Sequence, residues 1–189
     1  MNQFNHDIES AIKILHAGGI ILYPTDTIWG IGCDATNEEG VRKIFELKKR
    51  EDNKSMIVLV ANASDIHGYV RNPPNNLQEI LSSFTSPTTM IYEEGMHLAS
   101  NALSIDGSVA IRIVADNFCR KLITSFGKPL VSTSANISGT NSPKNFPDVG
   151  EEIKNGVDYI VEHRQNDLTI SAPSSIIKID KDGKIIKIR

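Results

Sequence analysis

The sequence predicts a mixed α/β fold, and two observations lead to that prediction. Short apolar segments that are typical of buried strands alternate with amphipathic helical patterns along the first part of the chain. Near the end, an Asp-Gly pair at positions 182 and 183 separates two apolar runs, which indicates a β-hairpin. Because strand–helix–strand units favour parallel strands and a hairpin joins antiparallel ones, we expect a mixed parallel and antiparallel sheet with flanking helices.

Hydrophobic periodicity and end signals predict the order of the elements. We expect the first helix to be capped by Asn5 and stopped by Gly18-Gly19, and the second to open with a capping box from Thr36 to Glu39. Pro73-Pro74 should divide positions 64–84 into two short helices. The remaining predictions are a helix at 116–126, a short helix ending the loop 141–155, and strands at 20–23, 28–33, 56–60, 88–92, 108–114, 129–134, 158–162, 175–180 and 184–189.

Length, charge and cysteine content limit the class of protein. The 189 residues suffice for one domain with a full core, so we expect a single domain over 1–189. The net charge of −3 gives no global basic field that would attract nucleic acid or a membrane, so anion recognition has to be local. Cys33 and Cys119 lack metal or redox spacing and are predicted to be buried free thiols. Since the sequence has neither a signal-peptide pattern nor an apolar run of transmembrane length, we expect a cytoplasmic protein.

A basic segment between the second helix and the next strand is the first candidate site. It contains Lys48, Lys49, Arg50 and Lys54. In one interpretation these cations complement the helix dipole and remain solvated. In the other they bind an anion, since arginine offers a fork for two phosphate oxygens and the lysines add point charges.

Hydroxyl and amide side chains at a strand end form the second candidate site. In the segment Pro129–Asn136, an apolar strand over 129–134 leads into Ser134 and Asn136, whose hydroxyl and amide groups can orient a ligand where the strand leaves the sheet. The alternative is a turn in which both side chains satisfy local backbone groups. Thr25, Asp26 and Thr27 form either a pocket wall or a simple turn. The sequence has no Gly-x-Ser-x-Gly elbow, no Walker loop and no histidine spacing typical of metal ligands.

Four segments together resemble the YrdC/TsaC family of threonylcarbamoyl-AMP synthases, over positions 20–189. They are Tyr23-Pro-Thr-Asp-Thr-Ile-Trp-Gly-Ile-Gly, Ile44-Phe-Glu-Leu-Lys-Lys-Arg, Ser108-Val-Ala-Ile-Arg and Gly127-Lys-Pro-Leu-Val-Ser-Thr-Ser-Ala-Asn-Ile-Ser-Gly. The resemblance implies a twisted sheet around a concave basic cavity. The sequence departs from the family pattern at Thr85–Thr89, Ile111–Asp116 and Ser142–Lys144. By comparison with longer relatives of the family, we expect the chain to lack their extra C-terminal domain.

The resemblance also implies roles for individual residues. It assigns catalysis to Lys48, Arg50, Ser134 and Asn136. It assigns ATP binding to Arg50, Lys54, Ser108, Asn136, Lys144 and Arg189, and threonine binding to Thr27, Arg112, Ser134 and Ser174. No protein side chain is implied as a metal ligand, and Mg²⁺ is expected to arrive with ATP.

The activity that the resemblance implies joins L-threonine, bicarbonate or CO₂, and ATP into threonylcarbamoyl-AMP, with release of pyrophosphate. This is the first step of the tRNA t6A modification, and the implied partner is a transferase assembly that contains TsaD. Two rival functions stay open: a module that binds double-stranded RNA or tRNA, and a paralogue similar to YciO that binds a nucleotide without acting on threonine.

Overall fold

A nine-stranded sheet forms the centre of the protein, in a computed structural model that describes residues 3–49, 56–179 and 185–189. The strands in chain order are β1 Ile21–Tyr23, β2 Gly30–Asp34, β3 Ile57–Val60, β4 Thr88–Tyr92, β5 Val109–Ile113, β6 Leu130–Ser134, β7 Tyr159–Ile160, β8 Ser175–Ile179 and β9 Ile185–Lys187. The helices are α1 Gln3–His16, α2 Glu38–Lys48, α3 Leu77–Ser82, α4 Asn117–Phe126 and α5 Glu151–Gly156, with 3-10 helices at Ala63–Gly68 and Ser100–Ala102.

The strand directions confirm the predicted mixed sheet. Across the sheet the order is β7-β1-β2-β6-β3-β5-β4-β8-β9. The pairs β1–β7, β3–β5 and β4–β8 are parallel, whereas β1–β2, β2–β6, β3–β6, β4–β5 and β8–β9 are antiparallel. The antiparallel pairing of β8 with β9 agrees with the predicted terminal hairpin, although its turn lies outside the described residues.

The ends of the two longer internal helices follow local capping chemistry, with one correction to the sequence prediction. Asn37, not Thr36, caps α2: its side chain accepts a hydrogen bond from the Gly40 N–H at 3.1 Å. Thr36 is hydrogen-bonded to the preceding strand instead, because its amide and its hydroxyl both donate to the Asp34 carboxylate. At α4, Asp116 is the N-cap and Gly127, with φ 77°, ends the helix.

The start of α1 is a second correction. The helix begins at Gln3 among the described residues, so Asn5 lies inside it and does not act as its cap. Gly18, with φ 72°, follows the helix as predicted. None of the helices in the described ranges is long and apolar enough to cross a membrane.

The two faces of the sheet are covered differently. One face carries Ile31, Val58, Ile111 and Val131 in a large apolar core that also contains the α2 residue Ile44. The opposite face packs against α1 and α4 only at one end, through a second apolar core. That second core contains Leu15, Tyr23, Leu59, Phe118 and Leu130. Within the described ranges, no helix therefore covers the other end of this face.

Small side chains explain why the sheet surface is concave at the end that α1 and α4 do not cover. Opposed residues of neighbouring strands form a row of Gly32, Ser132, Ile57, Ala110 and Ile91 across the sheet. Directly opposed residues on paired strands face the same side, so this row presents mostly small side chains to one surface. A concave surface results.

We predict that Gly32→Ala destabilises the protein by about 2 kcal/mol, because a side chain there overpacks the sheet. A Cβ atom at Gly32 would lie 2.5 Å from the Val131 carbonyl oxygen and 2.7 Å from the buried Tyr23 ring. Gly68→Ala is the matched control, since no heavy atom lies within 4 Å of its added Cβ. Urea unfolding measures both variants, and equal losses in the two would contradict the packing argument.

Candidate functional site

A cavity of about 280 Å³ occupies the uncovered end of the sheet face. Its floor includes Gly30, Ile57, Ala110, Arg112 and Ser132, so the strands β2, β3, β5 and β6 all contribute to it. The residues that complete the lining are Thr27, Ile28, Met56, Ile91, Thr133, Ser134, Ser142, Pro173, Ser174, Ile176, Ile188 and Arg189. Four sequence-predicted threonine-binding residues (Thr27, Arg112, Ser134 and Ser174) thus line one cavity, together with Arg189, a predicted ATP-binding residue.

Arg112 is the most unusual member of this lining, because it is a charged residue with only 4% exposure. Its Nη1 donates to the Thr27 hydroxyl at 2.9 Å, and its Nη2 lies 3.3 Å from the Asp26 carboxylate. Its Nε atom is buried and has no hydrogen-bond partner among the described residues. Since an unsatisfied buried donor is costly, Arg112 is poised for an additional acceptor such as a carboxylate.

A short turn carries the groups that hold Arg112. Thr25 Oγ1 accepts from the Thr27 N–H at 3.0 Å and donates to the Ile28 carbonyl oxygen at 2.8 Å. The Thr27 hydroxyl can therefore donate to Thr25 Oγ1, 2.9 Å away, while it accepts the bond from Arg112. The turn is thus both a pocket wall, the first alternative that the sequence left open, and the anchor of the buried guanidinium.

A second pair of hydroxyls lies beside Arg112 in the sheet. Thr89 is directly opposite Arg112 on β4, and its Oγ1 lies 2.8 Å from the hydroxyl of Ser174. Both side chains are buried. Arg189 then closes this side, since its guanidinium donates to the Ser174 carbonyl oxygen at 2.9 Å. The sequence analysis did not single out Thr89, for which only the opposed register with Arg112 gives a signal.

Lys48 belongs to the structural support of the site. It ends α2 and is only 1% exposed, and its ammonium group donates to the backbone carbonyl oxygens of Ser134 and Asn136. Its own carbonyl oxygen accepts from the Ser138 N–H at 2.9 Å. Lys48 therefore ties the end of α2 to the segment that follows β6. Burial excludes the interpretation in which this lysine remains solvated.

Asn136 uses part of its amide locally and keeps one atom unpaired. Its Nδ2 donates to the carbonyl oxygens of Ile137 and Thr140, at 3.0 and 2.7 Å. Its Oδ1 is buried and accepts no hydrogen bond among the described residues. The amide group of Asn136 thus closes a local turn, as the second alternative from the sequence predicted, and its role toward a ligand stays a prediction.

The other predicted ATP-binding residues are located as follows. Ser108 is buried just before β5, on the same side of the strand as Ala110 and Arg112. The side chain of Lys144 is exposed and is not among the cavity-lining residues. Arg50 and Lys54, together with the rest of the segment 50–55, lie outside the described residues.

The thiols do not contribute chemistry to the cavity. Cys33 and Cys119 are buried and free, as the sequence predicted. Burial raises the pKa of both thiols well above the usual range, so they stay protonated.

A larger cavity of about 620 Å³ lies beyond the C-terminal end of α4. It contains none of the sequence-predicted site residues. Its lysine, Lys128, donates at 2.6 Å to Asp34, a nearly buried carboxylate. The 280 Å³ cavity remains the candidate for binding an anionic substrate, because the sequence-predicted residues line it.

Comparison with known proteins agrees with this fold. The family model Sua5_yciO_yrdC, described as telomere recombination, matches residues 13–189. A threonylcarbamoyl-AMP synthase of Stenotrophomonas maltophilia (strain K279a) is 31% identical over 169 residues, or 88% of this chain and 91% of the relative. Another, of Blochmanniella floridana, is 32% identical over 186 residues, or 97% of this chain and 96% of the relative.

Solved structures show the same fold at lower sequence identity. Sua5 of P. abyssi, in complex with L-threonine, matches with a TM-score of 0.81 at 24% identity, covering 96% of this chain and 53% of Sua5. The chain thus spans about half the length of that protein. YciO of E. coli matches with a TM-score of 0.82 at 19% identity, covering 96% of this chain and 87% of YciO.

The sheet and its cavity define an α/β protein of the YrdC type. With the family model matched over nearly all of its length, the chain belongs to the Sua5/YciO/YrdC family, as the resemblance predicted.

We predict that Lys48→Met lowers the free energy of unfolding by about 2–3 kcal/mol, because the backbone carbonyl oxygens of Ser134 and Asn136 lose the charged donor that the buried Lys48 provides. Lys49→Met is the matched control, since the neighbouring Lys49 is exposed and forms a surface ion pair with Glu152. The control should change stability by less than about 0.5 kcal/mol. If urea unfolding finds Lys48→Met as stable as Lys49→Met, the supporting role of Lys48 is wrong.

Proposed function

We propose that this protein synthesises threonylcarbamoyl-AMP from L-threonine, bicarbonate or CO₂, and ATP, with release of pyrophosphate. Membership of the family and the names of relatives that are about 30% identical support the proposal. The observation that carries it is the buried Arg112 on the floor of a cavity lined with hydroxyls, whose Nε atom has no partner in the part of the chain that the structure describes.

Arg112 would bind the carboxylate of threonine. The fork of a guanidinium matches the two oxygens of a carboxylate, and exclusion of water strengthens this pairing. Asp26 already offsets much of the charge of Arg112, so a second carboxylate has to supply well-aligned hydrogen bonds to compete. The hydroxyls of Thr27, Ser134 and Ser174 line the same cavity and would orient the rest of the amino acid.

ATP would bind at the rim of the cavity. Arg50 and Lys54 of the basic segment would neutralise the phosphates, and Ser108, Asn136, Lys144 and Arg189 would hold phosphate or ribose groups. The described residues contain no group of three or more His, Cys, Asp or Glu side chains arranged to hold a metal ion. In the proposal Mg²⁺ enters as part of the MgATP substrate and offsets phosphate charge.

The reaction needs no protein nucleophile. The amine of threonine attacks the carbon of bicarbonate or CO₂ and forms a carbamate, with loss of water in the case of bicarbonate. A carbamate oxygen then attacks the α-phosphorus of ATP, and the bond between that phosphorus and the bridging oxygen to the β-phosphate breaks. Pyrophosphate leaves. The work of the enzyme would be positioning and charge neutralisation, with Lys48, Arg50, Ser134 and Asn136 at the centre.

The product would be the activated intermediate of the tRNA t6A modification in the cytoplasm. Because a mixed anhydride of a carbamate and a phosphate is labile, a transferase assembly that contains TsaD would have to accept it promptly. The two rivals are a module that binds double-stranded RNA and a nucleotide-binding paralogue similar to YciO, and one assay separates all three functions.

We expect pyrophosphate release from ATP that depends on both L-threonine and bicarbonate, because the carbamate is the nucleophile of the proposed reaction. A coupled pyrophosphatase assay measures the rate with each substrate omitted in turn. A rate of pyrophosphate release that is the same with and without threonine would contradict the proposed synthase activity and favour the YciO-like paralogue. Absence of turnover together with RNA binding that falls steeply with salt would favour the RNA module.

We predict that Arg112→Lys raises the KM for threonine by about tenfold or more, because lysine keeps the charge but loses the fork that a carboxylate requires. The KM for ATP should stay within about twofold, since Arg112 is not proposed to contact phosphates. The control is Arg42→Lys, because Arg42 pairs with Glu39 and Glu46 on the exposed side of α2. A KM for threonine equal to that of the control would rule out the role of Arg112.

A further inference from the structure

Arg164 has a backbone conformation that an arginine seldom adopts. It lies in the loop that follows β7, with φ 67°. This left-handed region is strained for any residue with a Cβ atom, and a non-glycine residue persists there only when the surrounding contacts impose it. The side chain of Arg164 provides such contacts.

The guanidinium of Arg164 binds three groups from three parts of the chain. Nη1 donates to the Thr25 carbonyl oxygen at 3.2 Å and to the Asp116 carboxylate at 3.1 Å. Nε donates to the Asp167 carboxylate at 3.2 Å. The side chain retains 30% exposure and is absent from the lining of the 280 Å³ cavity, so it would not touch a substrate there.

Two of these contacts lead directly to walls of the candidate site. Thr25 belongs to the turn whose Thr27 hydroxyl accepts the hydrogen bond from Arg112. Asp167 begins the segment that runs to Ser174, and its carboxylate also accepts from the Thr169 N–H at 3.0 Å. One guanidinium therefore connects the turn beside Arg112 with the segment that leads to Ser174.

The backbone just before Arg164 is fixed by a buried carboxylate. Asp7 of α1 is 0% exposed and accepts hydrogen bonds from the Glu162 N–H at 3.2 Å and from the His163 N–H at 2.8 Å. The Tyr159 hydroxyl donates to the same carboxylate at 2.6 Å. These hydrogen bonds fix the backbone that precedes Arg164, and they thereby fix the position from which its side chain contacts Thr25.

We infer that Arg164 is a positioning residue for the amino-acid substrate, which holds the turn of Thr25 and Thr27 at the correct distance from Arg112. This inference rests on the proposed function. Without Arg164 the turn would lose its outer anchor, and the Thr27 hydroxyl would no longer stay fixed against the buried guanidinium. A misplacement of this kind weakens binding of the group that the turn contacts and leaves the nucleotide site unaffected.

The test uses Arg164→Gly, because glycine removes the guanidinium and at the same time relieves the backbone strain at φ 67°. The lost contacts lower the free energy of unfolding and the relieved strain raises it, so we expect Arg164→Gly to fold. His97→Gly is the matched control, since His97 is an exposed non-glycine residue with φ 55° that lines the other, 620 Å³ cavity.

Isothermal titration calorimetry with L-threonine, and separately with MgATP, measures the two affinities in each protein. We expect Arg164→Gly to weaken threonine binding by about tenfold and to leave ATP binding within about twofold, whereas His97→Gly changes neither. Arg164→Lys, which can replace at most part of the contacts of the fork, should lie between the wild type and Arg164→Gly.

Each result decides one question. Threonine affinity of Arg164→Gly equal to that of the wild type overturns the positioning role. An equal loss of threonine and ATP affinity also overturns it, because it would show a general structural effect. If the wild-type protein itself fails to bind threonine, the proposed function is wrong, and the inference that rests on it is wrong as well.

Discussion

The structure of the candidate site depends on one incompletely satisfied buried charge. Arg112 lies on the face of a central strand, paired with Asp26 and hydrogen-bonded to Thr27, and its Nε atom has no acceptor among the described residues. Leaving a buried donor unpaired costs stability, so such a group in a native structure calls for an explanation. The turn that carries Thr25 and Thr27 holds this guanidinium on one side, and Thr89, bonded to Ser174, lies directly opposite it on β4. In the proposed function, the cavity takes an anion that can align with the guanidinium.

Two features of packing keep the space above Arg112 open. The helices α1 and α4 cover the far end of the same sheet face, and the row from Gly32 to Ala110 supplies mostly small side chains where no helix of the described part of the chain lies. The carbonyl oxygens that follow β6 are then fixed by the buried Lys48. The ammonium group thereby satisfies two backbone acceptors and ties the end of α2 to the segment that follows β6. The cavity is thus a consequence of side-chain size and of one buried ammonium group.

Much of the fold could be predicted from the sequence, because apolar periodicity and turn residues are local signals. The strand at Thr88–Tyr92 and the helix end at Gly127 are examples. The predicted cap of α2, Thr36, is wrong by one residue. No local sequence pattern shows that the Thr36 hydroxyl is hydrogen-bonded to the Asp34 carboxylate instead. Family motifs indicated Thr27, Arg112, Ser134 and Ser174, which line one cavity. Thr89 and Arg164 could not be found in that way, because their importance arises from contacts between distant segments.

In the proposed function, Arg112 binds the carboxylate of the amino-acid substrate. The most direct measurement is a crystal structure of the protein with L-threonine and a non-hydrolysable ATP analogue. We predict that a carboxylate oxygen of L-threonine lies about 3 Å from the Nε atom of Arg112, with the amino acid between Thr27 and Ser174. Threonine bound in the 620 Å³ cavity beside Lys128, or bound with its carboxylate turned away from Arg112, would contradict the account.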